Sequence, residues 1–162
     1  MPNFKIASYL TLIFIISLVS IISAYFIEYI LGHQPCNLCL IERIPYGLSI
    51  ILIVTYFVLK KNEKFIILLL ILIFIFSFLI SFYHFGIEHA FFEESAVCRL
   101  KNAADITSKE ELLKLLNEKT ISCKDVTFKI FGLSLTSINM VLSLIIFILL
   151  TKIYKNYEKI RK

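Results

Sequence analysis

Four apolar runs, at about residues 6–31, 44–59, 65–83 and 133–154, dominate this sequence of 162 residues. Each approaches the roughly 20 residues that a helix needs to cross the hydrocarbon core of a bilayer. In hydrocarbon every backbone N–H and C=O must be satisfied inside its own segment or by a neighbour, so runs of this length and character imply packed helices. The expected fold is an all-α membrane protein, a four-transmembrane-helix bundle forming a single membrane domain over residues 1–162. Composition agrees: 59% of residues are hydrophobic, against roughly 45–50% in a soluble domain. Three prolines and four glycines leave no flexible linker.

The second run is the shortest. At about 1.5 Å per residue it covers only about 24 Å, which puts Glu42 and Arg43 at its start in the headgroup layer. Tyr25, Tyr29, Tyr46, Tyr56, Tyr83 and Tyr154 cluster near the ends of the runs, as anchors of an interfacial aromatic belt do. The first run is much longer than the 7–15 apolar residues of a secretory signal and no small-residue cleavage site follows it, so it is read as a retained helix.

The net charge of +5 does not point to nucleic acid, because the cations flank apolar runs, where they encode membrane orientation. Lys5, the group Lys60, Lys61 and Lys64, and the group Lys152, Lys155, Lys159, Arg161 and Lys162 crowd into short segments. On the other side Arg43 and seven cations are spread over two longer connections, at about 32–43 and 84–132. Both termini are therefore expected in the cytoplasm, and all four cysteines outside it, where disulfides persist. Within the third connection, a capping box from Thr107 to Glu110 followed by Leu112, Leu113, Leu115 and Leu116 predicts a short amphipathic helix, either resting on the bilayer surface or covering the bundle.

Cys36-Asn37-Leu38-Cys39 is the motif richest in chemistry. Two intervening residues bring the thiols within bridging distance where the chain turns into a helix. The amides of a helix start, and Arg43 about one turn after Cys39, favour a thiolate. A stabilised thiolate makes a strongly oxidising pair. Cys98 and Cys123 are separated by 24 residues; a bridge between them, taken alone, equally staples the loop. Zinc would want a second close pair, so no metal is expected. Arg43 is costly to place at the head of an apolar run and is expected to act, offsetting thiolate charge or donating hydrogen bonds. Glu28, His33, Glu42, His84, Glu88 and His89 lie near the outer surface, and His84 and His89 are candidates for moving protons.

At these residues the chain resembles the disulfide bond formation protein B (DsbB) family. The resemblance is carried by Pro35-Cys36-Asn37-Leu38-Cys39-Leu40-Ile41-Glu42-Arg43, by Tyr83-His84-Phe85-Gly86-Ile87-Glu88-His89 leading into Cys98, and by the stretch from Ser122-Cys123 to Leu133-Ser134. It covers nearly the whole chain, in order. It implies a thiol oxidase of the bacterial inner membrane, a protein-disulfide:quinone oxidoreductase that reoxidises a periplasmic thioredoxin-like dithiol protein (DsbA-like) and passes the electrons to ubiquinone or menaquinone. Cys36, Cys39, Cys98 and Cys123 are then the catalytic residues. Cys98 forms the mixed disulfide with the partner, Cys123 attacks Cys36, and Cys39 is left as the thiolate facing the quinone. Arg43, Glu42, His84 and His89 become the expected cofactor-binding residues. The competing readings are a non-enzymatic membrane subunit with structural disulfides, a quinone or epoxide reductase running the reverse reaction, and a cysteine-based metal carrier.

Overall fold

The computed structural model describes residues 4–59, 62–94, 98, 122–124, 129–130 and 132–157. Four helical segments are long and apolar enough to cross a membrane: Ile6–Tyr29, Asn37–Leu59, Glu63–Glu88 and Leu135–Lys155. They belong to helices α1 (Phe4–Tyr29), α2 (Asn37–Ile41) with α3 (Ile44–Leu59), α4 (Glu63–Glu88) and α5 (Leu135–Lys155). The predicted amphipathic helix after Thr107 lies outside the described residues. A two-residue antiparallel pairing, β1 (Lys129–Ile130) with β2 (Leu133–Ser134), leads into α5.

The protein wears its apolar side chains outward. Val19, Ile22, Ile51, Phe65, Leu72, Phe76, Leu79, Val141 and Ile145 are exposed, as side chains facing lipid must be and as the surface of a water-soluble domain is not. Inside, Ile6, Leu10, Ile13, Ile53, Ile67, Leu70, Phe74, Ile146 and Leu150 form the packed core. Lipid is as apolar as leucine, so helix association rests on close packing and hydrogen bonds between helices. Ser49 Oγ donates to Ser17 Oγ at 2.9 Å, and the Ser77 and Ser143 hydroxyls meet at 2.9 Å. Each such bond contributes about 0.6 kcal/mol in a membrane setting, which makes them guides to register more than the source of stability.

The second and third spans and two of the tyrosines add detail to or differ from expectation. α3 begins at Ile44, as expected, and the C-x-x-C motif precedes it in the separate short helix α2 with Cys36 as N-cap; with α2 included, the second candidate span runs Asn37–Leu59. It reaches 23 residues by joining α2 to α3 through a break at Glu42–Arg43, where Pro45 lacks the N–H that would bond back to Ile41. Glu42 at the break is buried within the protein. The third span continues five residues past Tyr83 to Glu88, which places His84 on a helix. Finally, Tyr46 and Tyr56 are buried in the core and are not interfacial anchors, while Tyr25 and Tyr29 remain exposed.

Two glycines shape the end of the bundle that carries the cysteines. Gly32 takes φ +73°, a left-handed conformation that closes α1 with His33 N–H donating to Ile27 O at 3.2 Å. Gly86 lets the Phe92 ring lie against α4 where a Cβ would stand 2.1 Å from it.

Candidate functional site: two cysteine pairs at one end of the bundle

Cys36 is the N-cap of α2; its Sγ accepts from the Cys39 amide at 3.3 Å. Cys36 and Cys39 are reduced and unbridged, with their sulfurs 2.8 Å apart. Cys98 and Cys123 form a disulfide. Both pairs pack into one small buried cluster with Leu38 and Ile87, bordered by Ile41 and Tyr83. The fold therefore brings together in space two pairs that the sequence separates by most of a helical hairpin.

His84 extends this cluster into a polar network. Its Nε2 lies 3.5 Å from Cys36 Sγ, and its Nδ1 lies 2.9 Å from Glu42 Oε1 and 3.3 Å from Thr136 Oγ1. Thr136 donates its one O–H to Glu88 Oε1 at 2.7 Å, so toward His84 it accepts. Nδ1 therefore carries a ring hydrogen, and Nε2 faces the Cys36 sulfur, donating to it when the ring is protonated and accepting from it when the ring is neutral. Asn139 donates to Glu42 Oε2 at 2.8 Å and to Ser81 Oγ at 2.7 Å, and Tyr46 donates to Asn139 Oδ1. Ser134, the N-cap of α5, donates to Glu88 Oε2 at 2.6 Å. Cysteine, imidazole and carboxylate thus stand in line, with hydroxyls and an amide fixing each.

The Cys36 thiol is held well below its ordinary range, first by the hydrogen bond from Cys39 and then by the hydrogen bond and charge of His84, against the opposing effect of burial. A lowered thiol pKa stabilises the reduced pair at every pH above it, and that advantage is lost as pH falls through it. With one thiol already ionised, reducing the pair takes up one proton for two electrons. The midpoint potential of Cys36–Cys39 is expected to fall by about 30 mV per pH unit from pH 6 to 8, in place of about 59 mV for two protons. Redox titration of a Cys98→Ala/Cys123→Ala protein at several pH values checks this, and the steeper slope would contradict it.

Beside the cysteines lies a cavity of about 300 Å³ between α1, α3 and α5, walled by Cys39, Glu42, Arg43, Tyr46 and Asn139 together with apolar residues such as Ile27 and Leu142. Its volume is at the lower end of small-molecule sites, and its mostly apolar wall with a few polar groups is typical of them. Arg43 is an ion-pair partner of Glu28, and its guanidinium carbon lies 5.1 Å from the Tyr25 ring centre. It does not reach Cys36 as a partner; that role falls to His84.

Of the residues singled out from sequence, Cys36, Cys39, Cys98, Cys123, Glu42, Arg43 and His84 come together at this end of the bundle. His89 stands apart from them. It is exposed, its Nδ1 meets Phe85 O at 3.1 Å, and its ring lies against Phe85 with centres 4.1 Å apart. Thr136, Asn139 and Ser81 were not singled out. The available signal was Asn139 and Ser143 four apart on α5, and Ser77 and Ser81 four apart on α4, polar residues on one face of otherwise apolar runs.

The fold and the site define a multi-pass membrane protein with a thiol–disulfide centre. The family described as "Disulfide bond formation protein DsbB" matches residues 7–153, and the chain belongs to it, as a membrane oxidoreductase of disulfide formation. An uncharacterized protein of Rickettsia prowazekii (strain Madrid E) is 30% identical over 139 residues, covering 83% of this chain and 80% of its own length. No solved structure matches the chain.

Proposed function

We propose that the protein is a bacterial inner-membrane thiol oxidase that reoxidises a periplasmic thioredoxin-like dithiol protein through its two cysteine pairs and delivers the electrons to ubiquinone or menaquinone. The observation that carries this reading is the packing of both pairs into one cluster beside a cavity walled by Cys39. In this orientation both termini are cytoplasmic and the cysteines face the periplasm.

A partner thiolate attacks Cys98, breaking Cys98–Cys123 and freeing Cys123 as a thiolate. Cys123 attacks Cys36, breaking Cys36–Cys39 and releasing Cys39. The partner's second thiol displaces Cys98, leaving the partner oxidised, and Cys98 then attacks Cys123, restoring that bridge and releasing Cys36. Two electrons have moved from the partner dithiol to the Cys36–Cys39 pair. Cys36 leaves readily because a thiol of low pKa is a good leaving group, and His84 Nε2 is placed to hold or take its proton while Glu42 holds the ring.

The cavity fits a flat ring bearing carbonyl oxygens, with Arg43 able to donate to one of them and the Cys39 sulfur at the wall. A quinone held there by Arg43 and the apolar wall would supply the two-electron sink that re-forms Cys36–Cys39. The test is optical: adding oxidised quinone to the reduced protein is expected to give an absorbance change that is present in the wild type and absent in Cys39→Ser. An unaltered change in Cys39→Ser would separate the cavity from the redox pair and end this reading.

A further inference from the structure

His84 gives the C-x-x-C pair a third donor from a distant helix. Cys36 Sγ, Cys39 Sγ and His84 Nε2 all lie within 4.8 Å of one another. A tetrahedral zinc ion, with Zn–S about 2.3 Å and Zn–N about 2.0 Å, sets a sulfur and a nitrogen ligand about 3.5 Å apart and two sulfurs about 3.8 Å apart. The Cys36–His84 separation of 3.5 Å already meets the first requirement. The sulfurs, 2.8 Å apart, must part by about 1 Å, and Cys39 borders the cavity into which it can turn.

Two further features favour a metal. The far ring nitrogen of His84 is hydrogen-bonded to Glu42 Oε1 at 2.9 Å, the carboxylate–histidine arrangement that orients imidazole ligands and raises their basicity. Glu42 is itself fixed by Asn139 at 2.8 Å. Two thiolates and an imidazole also form a soft donor set that favours zinc over the hard cations.

We infer that the reduced Cys36–Cys39 pair and His84 Nε2 form a three-ligand site for a thiophilic cation, zinc(II), with the fourth position open toward the cavity. Binding is an acid–base event without electron transfer: each thiol that still holds a proton releases it as its Zn–S bond forms. The disulfide form offers no thiolate and takes no metal. Zinc thus captures the reduced state and holds it out of thiol exchange. This inhibitory consequence rests on the relay proposed above, whereas the binding itself does not.

The experiment uses full-length Cys98→Ala/Cys123→Ala protein in detergent, reduced, freed of reductant without oxygen, and titrated with zinc chloride against a chromophoric chelator. The expected result is one zinc per chain, lost when the same protein is oxidised to the Cys36–Cys39 disulfide and weakened at least about 10-fold in Glu42→Gln. X-ray absorption of the zinc-loaded protein, which needs no further substitution, is expected to show two sulfur neighbours at about 2.3 Å and nitrogen at about 2.0 Å. No stoichiometric zinc on the reduced protein, equal binding after oxidation, or a zinc shell without nitrogen overturns the site. Turnover of the metal-free wild type reads the relay separately. A chain that binds zinc but does not turn over keeps the site and loses the inhibitory role.

Discussion

Glu42→Ala is expected to destabilise the bundle by about 2–4 kcal/mol. The carboxylate is the shared acceptor for two donors on two other helices, the buried His84 Nδ1 and the half-buried Asn139 Nδ2. Leaving a buried donor unsatisfied costs about 1–3 kcal/mol. His84 keeps Thr136 and Asn139 keeps Ser81, which holds each loss toward the lower end. Glu42→Gln retains a carbonyl acceptor and is expected to lose less than half as much. Reversible unfolding in mixed detergent and SDS measures both. Equal stability of Glu42→Ala and the wild type would mean that the carboxylate does not tie α4 and α5 to the helix break.

Cys98→Ser is expected to reduce oxidation of the dithiol partner by at least about 10³-fold, a loss typical of removing a reacting group. The remaining thiol, Cys123, then has no disulfide to offer the partner. The same variant is expected to keep quinone-dependent re-formation of Cys36–Cys39, because that half of the centre is built by α2, α3, α4 and α5. Cys36→Ser is expected to fail at both, since it removes the partner of Cys39 and, in the proposed relay, the sulfur that Cys123 would attack. Stopped-flow thiol loss and quinone reduction, followed in parallel, distinguish the two. Equal residual activity in Cys98→Ser and the wild type would reduce the Cys98–Cys123 bridge to a staple of its loop.

What was legible in the sequence follows from how local the signal is. Hydropathy alone located the four spans, because a run of apolar residues needs no tertiary context to be costly in water. Cys36 and Cys39 were legible because three residues along a helix start suffice to bring the sulfurs together. The start of α3 at Ile44 is legible from the apolar run, whereas the short helix α2 and its break from α3 are not, although Pro45 carries the break. The role of His84 was only half visible. Its candidacy came from residue type and position near a helix end, but its pairing with Cys36 depends on how α4 is rotated against α2. A membrane helix that is apolar all round has no polar face to set that rotation. It is set instead by isolated polar residues, Ser81, Thr136 and Asn139, whose partners lie on other helices. Tyr46 shows the same limit. By position it resembled an anchor, yet its hydroxyl meets Asn139 and its ring lies edge-on to Phe74, centres 5.8 Å apart.

The most direct test of the account is anaerobic turnover of the purified wild-type protein in detergent, with a reduced thioredoxin-like periplasmic dithiol protein as donor and ubiquinone or menaquinone as acceptor. The account predicts loss of two thiols for each quinone reduced, abolished in Cys36→Ser. Intact cysteine pairs with no thiol loss on either quinone would contradict it and leave a membrane subunit with structural disulfides.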